Sequence, residues 1–321
     1  MAKRYWDYSS PVKRYSGNPI LTGKDLPYPA NSVFNAAVTK VGKKYLMLFR
    51  TEMFHGRSCL GLAWSDDGIK WVPEKKPFMW TSEKEPWASR ECMGIWDPRI
   101  TKLGNTYYIC YVAECQFGSA VAVAKTKDWK SVERISYPFY PGNRNSCLLP
   151  EKVNGEFFMY HRPTGMGADG VWCATSPDLE YWHNHKLCML PRSFTWDDVK
   201  AGTGATPFKT DKGWLMIYHG VRNQAFGPIY RMGAALFDLE DPSRIIGRSR
   251  QWLLQPEEPY EFNGNVGNVV FPCGAIPESD GTVKIYYGAA DQCMCLATAS
   301  LDELLETVKP VEKGDPILKG M

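Results

Sequence analysis

The chain has 321 residues, of which 44% are hydrophobic and 23% charged, a balance typical of a globular protein with a large core. Its formal net charge is +3 and its lysines and arginines are scattered, which argues against a nucleic-acid or membrane partner. No apolar run approaches the roughly 18 residues of a membrane span. Residues 1–7 lack the apolar core of a signal peptide, so we expect a cytoplasmic protein whose ten cysteines are reduced.

Two β-forming runs, joined by a polar loop, recur as a unit along the chain. The first runs begin at residues 44, 106, 157, 214 and 283, and the second runs begin at residues 58, 120, 170, 232 and 293. Copies spaced by about fifty to seventy residues are near the range of four-stranded propeller blades. The sequence therefore predicts an all-β fold, a five-bladed β-propeller, with a β-sandwich of coincidental similarity as the alternative.

The ends of the chain carry two further features. No linker or low-complexity segment separates the copies, so we expect a single propeller domain over residues 1–321. Trp6 and Tyr8 precede the first copy and predict an N-terminal arm over residues 1–16. That arm packs either on the propeller itself or on a second copy in a homo-oligomer, and the sequence leaves both open. Helical periodicity at residues 301–306 predicts one short helix near the C-terminus.

A charged or polar residue follows the first run of every copy. These residues are Arg50, Glu114, Arg162, His219 and Asp291. The inner strands of a propeller surround one channel, so the repeat predicts that these five side chains converge on a single pocket. Function is therefore expected on the axis.

Short polar motifs precede three of the inner runs. They are Trp-Asp-Pro-Arg at residues 96–99, Asn-Arg-Asn at residues 143–145, and Lys200 ahead of a glycine-rich stretch at residues 201–205. The last of these is no phosphate-binding P-loop, because it lacks the Gly-Lys-Ser/Thr ending and the following helix. Taken alone, each motif is typical of an ordinary turn.

Taken together and in order, these motifs resemble family 130 of the glycoside hydrolases. Further segments that share the resemblance lie at residues 18–21, 34–38, 161–163, 213–221, 271–275 and 286–291, so that it spans about residues 15 to 300. The family consists of five-bladed propellers that are largely β-mannoside phosphorylases. The resemblance therefore implies a catalytic domain that cleaves β-mannosides with inorganic phosphate.

The resemblance also implies roles for individual residues. Asp97, in the Asp-Pro-Arg motif, corresponds to the catalytic acid. The residues implied to bind phosphate are Arg144, Arg162, Lys200, His219 and Tyr230. Those implied to contact the transferred mannosyl unit are Asn35, Arg57, Trp96, Asn145 and Asp291. The chain departs from the family pattern at Ala36, Trp96 and residues 203–207, which bears on acceptor and linkage preference more than on the reaction.

The residue types suit phosphorolysis. An inverting hydrolase needs a second carboxylate that activates water, about 6.5–9.5 Å from the acid. A phosphorylase instead needs cations and neutral donors that hold a phosphate dianion, and arginine suits this because its planar group donates two parallel hydrogen bonds. We therefore expect phosphorolysis of a β-mannoside, with inversion at the anomeric carbon, to give α-mannose 1-phosphate. The β-mannoside is expected to be a mannosyl-glucose or a mannooligosaccharide.

Two other functions stay open at this stage. They are a β-mannosidase on the same fold and a propeller that binds carbohydrate without catalysis. The expected partners are small-molecule β-mannosides and phosphate as co-substrate, with no cofactor. We assign no metal, because His183 and His185 have no carboxylates clustered with them. The sequence does not identify the linkage or the acceptor sugar.

Overall fold

Antiparallel strands form nearly all the regular structure of the computed structural model, which describes residues 9–165 and 169–311. The first strands are β1 (Lys13–Arg14), β2 (Ser32–Val41), β3 (Lys44–Glu52), β4 (Ser58–Ser65), β5 (Val72–Pro73), β6 (Gly94–Leu103), β7 (Thr106–Cys115), β8 (Gly118–Thr126), β9 (Glu133–Ser136), β10 (Asn143–Leu148) and β11 (Phe157–Pro163). They are followed by β12 (Val171–Ser176), β13 (His183–Met189), β14 (Lys200–Gly202), β15 (Phe208–Thr210), β16 (Gly213–Gln224), β17 (Gly227–Phe237), β18 (Ile245–Ser249), β19 (Val270–Pro277), β20 (Thr282–Ala289), β21 (Cys293–Ser300) and β22 (Val308–Pro310). The prediction of an all-β fold is confirmed.

Helices are short and few in the described ranges. They are α1 (Trp87–Glu91), α2 (Pro259–Phe262) and α3 (Leu301–Thr307), together with a 3₁₀ turn at Gly23–Asp25. The short C-terminal helix predicted at residues 301–306 is confirmed as α3, which packs Leu304 and Leu305 into the core. Among the described residues, no helix has the length and apolar character needed to cross a membrane.

The strands assemble into meanders in which neighbours along the chain are neighbours in the sheet. Strands β10 to β13 form one sheet, and β14 to β18 form another that includes β22. Strands β2 to β5 and β6 to β9 are two meanders joined through a parallel pair between Ser58 and Gly94. The apolar residues of the central strands are almost fully buried and fill the core between the sheets. The strand pairs predicted from the repeat are thus the central strands of these meanders.

The first and last strands of the described chain each add to the edge of a sheet that is built from other strands. Strand β1 pairs antiparallel with β21, next to β20 and β19, and β22 pairs with β18. Residues 13–14 of the predicted arm are therefore an outer strand of the last sheet. Trp6 and Tyr8 lie outside the described residues.

The β1 strand is held by a charged cluster around Glu261. This carboxylate is completely buried, and it accepts hydrogen bonds from Arg14 at 2.9 and 2.8 Å and from the Tyr287 hydroxyl at 2.9 Å. Arg14 also pairs at 2.9 Å with Glu257, whose side chain is 56% exposed. A buried charge is tolerated only when it is paired and hydrogen-bonded, so Glu261 fixes Arg14 firmly.

These two glutamates give a matched test of how the N-terminal strand is anchored. We expect Glu261→Gln to lower the free energy of unfolding by about 3 kcal/mol, because it breaks a buried ion pair. Glu257→Gln should cost less than about 1 kcal/mol, because that pair lies in solvent. Urea denaturation followed by tryptophan fluorescence measures both. Equal losses in the two variants would contradict this account of the anchor.

Candidate active site

A bulge near the start of the first strand recurs in three of the meanders and shapes the site. In β2, Phe34 pairs with Arg50 and Ala37 with Leu48, so one extra residue is inserted. The same shift occurs in β6 between residues 96 and 99, and in β10 between residues 144 and 147. A bulge of this kind re-aims a side chain and bends its strand.

The bulges place three short polar residues in a left-handed backbone conformation. Asn35 has a φ of 49°, Asp97 a φ of 47° and Asn145 a φ of 51°. Asparagine and aspartate tolerate this region better than other residues with a side chain. The structural repeat thus includes the site, because the same bulge presents one site residue from each of three meanders.

Asp97 is held by an amide and a guanidinium. Asn35 Nδ2 donates to Asp97 Oδ1 at 3.0 Å, and Arg50 Nη1 lies 3.6 Å from the same oxygen. Asn35 is buried against Gly288, where a Cβ would lie only 2.1 Å from Asn35 Oδ1. Glycine at position 288 therefore leaves the room that Asn35 needs to reach Asp97.

Trp96 packs against two arginines of the site. The guanidinium carbon of Arg50 lies 4.3 Å from its ring centroid and 4.6 Å from that of Phe34. The guanidinium carbon of Arg144 lies 5.6 Å from the Trp96 ring. Cations over aromatic faces are attracted by the ring quadrupole, so Trp96 orders both side chains.

A second carboxyl group, Asp291, lies close enough to Asp97 to feel its charge. Burial raises the pKa of Asp291 to about 7, and the negative charges of Asp97 and Glu52 add to the increase. Arg50 and a hydrogen bond with Asn35 act in the opposite direction. Two carboxylates that share a poorly solvated site cannot easily both ionise, so Asp291 takes up a proton near neutral pH.

Three cations lie together on another part of the site. Arg162, which is 5% exposed, forms an ion pair with Asp169. Burial lowers the pKa of Lys200, and the positive charges of Arg162 and Arg144 lower it further. Burial raises the pKa of the Tyr230 hydroxyl, while Arg162 and Arg144 oppose the rise. Arg144, Arg162 and Lys200 therefore form a positively charged group, and the negative charge of Asp169 balances it in part.

His219 is neutral and its tautomer follows from its partners. Burial, followed by the charges of Arg162 and Arg99, lowers its pKa well below the usual value. Its Nδ1 lies 3.1 Å from the carbonyl oxygen of Thr203, which only accepts, so Nδ1 carries the proton. Nε2 lies 3.4 Å from Asn145 Nδ2 and acts as the acceptor. His219 thus orients Asn145.

The structure brings together the predicted site residues except Arg57. Arg57 lies in the exposed loop between β3 and β4, and no contact of its side chain with another site residue is seen in the described ranges. Of the strand-end residues, Arg50 pairs with Asp97 as described, whereas Glu114 accepts a hydrogen bond from Ser119 in the next strand.

The sequence placed Arg50 at the expected pocket without giving it a role, and it did not assign Arg99 or Asp169 to the site. Arg50 had a signal, since it ends the first inner run, but its aromatic partners come from other strands. Asp169 lies next to the residues outside the described ranges and gives no motif. Arg99 is part of the Asp-Pro-Arg motif, yet only the structure shows that it is completely buried.

The histidines outside the cluster have protein partners. His161 is hydrogen-bonded to Asn143 and stacks on Phe139 with ring centroids 4.1 Å apart, so it braces the strand that carries Arg162. His183 Nε2 lies 3.0 Å from Glu156. Within residues 9–165 and 169–311, no three His, Cys, Asp or Glu residues are grouped so that they could hold a metal ion.

Comparison of the sequence with known proteins gives relatives over most of the chain. A family model described as beta-1,4-mannooligosaccharide phosphorylase, for glycoside hydrolase family 130, matches residues 5–310. A β-1,4-mannooligosaccharide phosphorylase of Ruminococcus albus is 32% identical over 312 residues, which cover 94% of this chain and 92% of the relative. A β-1,2-mannobiose phosphorylase of Listeria innocua is 37% identical over 254 residues, 78% of this chain and 69% of the relative.

The fold comparison agrees. A solved structure of β-1,2-mannobiose phosphorylase from Listeria innocua, in complex with β-1,2-mannobiose, superimposes with a TM-score of 0.83 at 30% identity. The superposition covers 92% of this chain and 98% of that one. Since both the family model and these relatives match most of its length, the chain belongs to glycoside hydrolase family 130.

Proposed function

We propose that the protein is an inverting β-mannoside phosphorylase, which converts a β-mannoside and inorganic phosphate into α-mannose 1-phosphate and an acceptor sugar. The observation that carries this proposal is the cationic group of Arg144, Arg162 and Lys200 beside the Asp97 carboxyl. Trp96 joins the two parts, because it contacts Arg144 on the cationic side and Arg50 next to Asp97. The named activities of the relatives support the same reaction class.

Arg162 supplies a specific reason to expect an anion. Its Nε is buried and has no hydrogen-bond partner among the described residues, although Nη1 is bound to Asp169. A buried donor without an acceptor is costly, and a phosphate oxygen would satisfy it. A phosphate dianion would also offset the repulsion among the three cations, and Tyr230 adds a neutral hydroxyl donor to the same group.

The proposed reaction assigns the proton to Asp97. Its carboxylic acid protonates the departing glycosidic oxygen, either directly or through a sugar hydroxyl. A phosphate oxygen attacks the anomeric carbon from the opposite face, so the carbon–oxygen bond to the acceptor breaks as the bond to phosphate forms. The proton of monohydrogen phosphate passes to water, and Asp97 takes up a proton from water, so the acid is regenerated without a cofactor. Asn35 and Arg50 orient the carboxyl group throughout.

In the proposed reaction, Asp291 does not act as the base that would activate water in a hydrolase. An inverting hydrolase needs a second carboxylate as base across the sugar ring from the acid. Asp291 interacts with Arg50 and Asn35, the same two side chains that hold Asp97, so it lies beside the acid and not across the ring from it. We propose that Asp291 contacts the transferred mannosyl unit together with Asn35, Asn145 and Trp96. Arg57 would join them from its exposed loop when a sugar is bound.

The architecture that we propose is a single domain with five blades. The blades are β2–β5, β6–β9, β10–β13, β14–β18 and the meander β19–β21 completed by β1. Support comes from the antiparallel order within every meander and from the bulge that recurs in the first strand of three of them. The ten cysteines are free thiols, nine of them buried, which suits a reducing cytoplasmic setting.

Synthesis in the reverse direction tests the reaction class. We expect α-mannose 1-phosphate and one member of a panel of glucose, mannose, N-acetylglucosamine and mannooligosaccharides to yield phosphate and a β-mannoside. Phosphate release and analysis of the linkage identify the acceptor in one experiment. Mannose release from β-mannosides without phosphate would instead establish a hydrolase, and inactivity in both assays would leave a carbohydrate-binding protein.

Replacement of the proposed acid tests the role of Asp97. Asp97→Asn should lower kcat of phosphorolysis by at least about 10³-fold, because general acid catalysis contributes roughly 10²–10⁴-fold and is lost entirely. The matched control is Asp128→Asn in an exposed turn, which should keep full activity. Circular dichroism checks that both variants fold. A variant at position 97 that kept more than a tenth of kcat would rule out this assignment.

The pKa of Asp291 predicts a pH dependence of stability. Because the folded protein raises this pKa from 3.8 to about 7, the folded state holds the proton more tightly than the unfolded chain. The resulting stabilisation is complete below pH 4 and is lost as the pH rises through 7. Relative to Asp291→Asn, the wild type should therefore lose unfolding free energy between pH 4 and 7 and stay level above. Urea titrations at several pH values measure this difference, and a difference independent of pH would contradict it.

A further inference from the structure

Arg99 is a buried cation that the reaction scheme does not use. It follows Asp97 by two residues in β6, on the far side of the bulge, and it is completely buried. Its Nη1 donates to the carbonyl oxygen of Asp97 at 2.8 Å, and its Nε donates to the carbonyl oxygen of Gly204 at 2.5 Å. One guanidinium therefore binds the backbone of two segments that are far apart in sequence.

The surroundings of Arg99 give it no carboxylate partner in the described ranges. Its guanidinium carbon lies 5.5 Å from the centroid of the Phe271 ring. It is near the thiols of Cys110, Cys147 and Cys273, whose pKa values burial raises and the charge of Arg99 lowers. A buried charge without a counterion depends on its hydrogen bonds. The carbonyl groups of residues 97 and 204 must therefore stay directed at Arg99.

The Gly204 segment leads directly to the cationic side of the site. The neighbouring Thr203 accepts a hydrogen bond from His219 through its carbonyl oxygen and donates its hydroxyl to the carbonyl oxygen of Asn145. The segment is closely packed, because a Cβ at Gly204 would lie 2.1 Å from the carbonyl oxygen of Ile217. Movement of residue 204 would consequently shift His219 and Asn145.

We propose that Arg99 is a positioning residue that fixes the separation between Asp97 and the phosphate-binding side chains; this inference rests on the proposed phosphorolysis. The acid and the attacking phosphate must lie on opposite faces of one carbon atom. An error in their separation reduces the stabilisation of the transition state, while each substrate still binds. A displacement of about 1 Å can cost about 10²-fold in rate.

The replacement of arginine by lysine isolates this function. A lysine at position 99 keeps a positive charge, but its single ammonium group cannot donate from two nitrogens in a fixed planar arrangement. We expect Arg99→Lys to lower kcat by about 100-fold, with both KM values, for the mannoside and for phosphate, within about three-fold of wild type. Arg99→Met, which loses all donors, should lower kcat further.

The distribution of products gives a second readout. If the acid and the phosphate are no longer held at the right distance, water competes for the anomeric carbon and free mannose is released. We expect the ratio of free mannose to mannose 1-phosphate to rise at least about ten-fold in Arg99→Lys. A residue that only stabilised the fold would leave this ratio unchanged.

Arg134 provides the matched control. It is a largely buried arginine that binds Glu91 with two nitrogens, away from the site residues. Arg134→Lys should lower Tm without changing kcat or the product ratio. Should Arg99→Lys fail to fold, Thr203→Val loosens the same segment by removal of its bond to Asn145, and it should lower kcat while KM is kept.

The outcomes separate this inference from the proposed function. A wild-type protein without phosphorolysis would overturn both. An active wild type whose Arg99→Lys variant keeps kcat within three-fold, or loses KM instead of kcat, would overturn the role of Arg99 alone. A loss of kcat with a matched loss in Arg134→Lys would reduce Arg99 to a structural residue.

Discussion

The site depends on one backbone constraint, a left-handed residue inserted in the first strand of three meanders. A regular strand would alternate its side chains between the two faces of the sheet, and the polar residues would then be divided between them. The inserted residue interrupts this alternation, so that Asn35, Asp97 and Asn145 are each presented from a bulge. The rest of the strand still pairs fully on both sides of the insertion. Local irregularity is therefore confined to the residues that carry chemistry.

Charge in the site is divided rather than mixed. Asp97 and Asp291 lie on one side together with Arg50, whose positive charge acts on both carboxyl groups. Arg144, Arg162 and Lys200 lie on the other side. Trp96 is the contact between the two halves, since it packs on an arginine from each. Such a division favours a reaction in which a proton is supplied at one end and an anion at the other. The same division keeps Asp97 out of a direct ion pair with Arg144, Arg162 or Lys200 within the described ranges.

Much of this arrangement could be predicted from the sequence, and the rest depends on contacts that leave no local trace. The strand pairs and α3 follow from residue periodicity, and Asp97 is marked by its motif. The bulges were not predicted, because an inserted residue in a strand looks like any other polar residue. Nor was the burial of Arg99, since a charged residue after a proline is usually exposed. The position of Arg57 depends on the backbone conformation of the exposed loop between β3 and β4, which a motif does not specify.

The pairing of β1 with β21 has a consequence for the order of folding during synthesis. Strand β1 emerges from the ribosome long before its partner β21, as the register of Arg14 with Ala297 shows. Closing so long a segment carries a large entropic cost before any contact repays it, and folds dominated by such contacts form slowly. Until then the outer edge of β21 is an open template for another strand, so a nascent or truncated chain is exposed to aggregation through that edge.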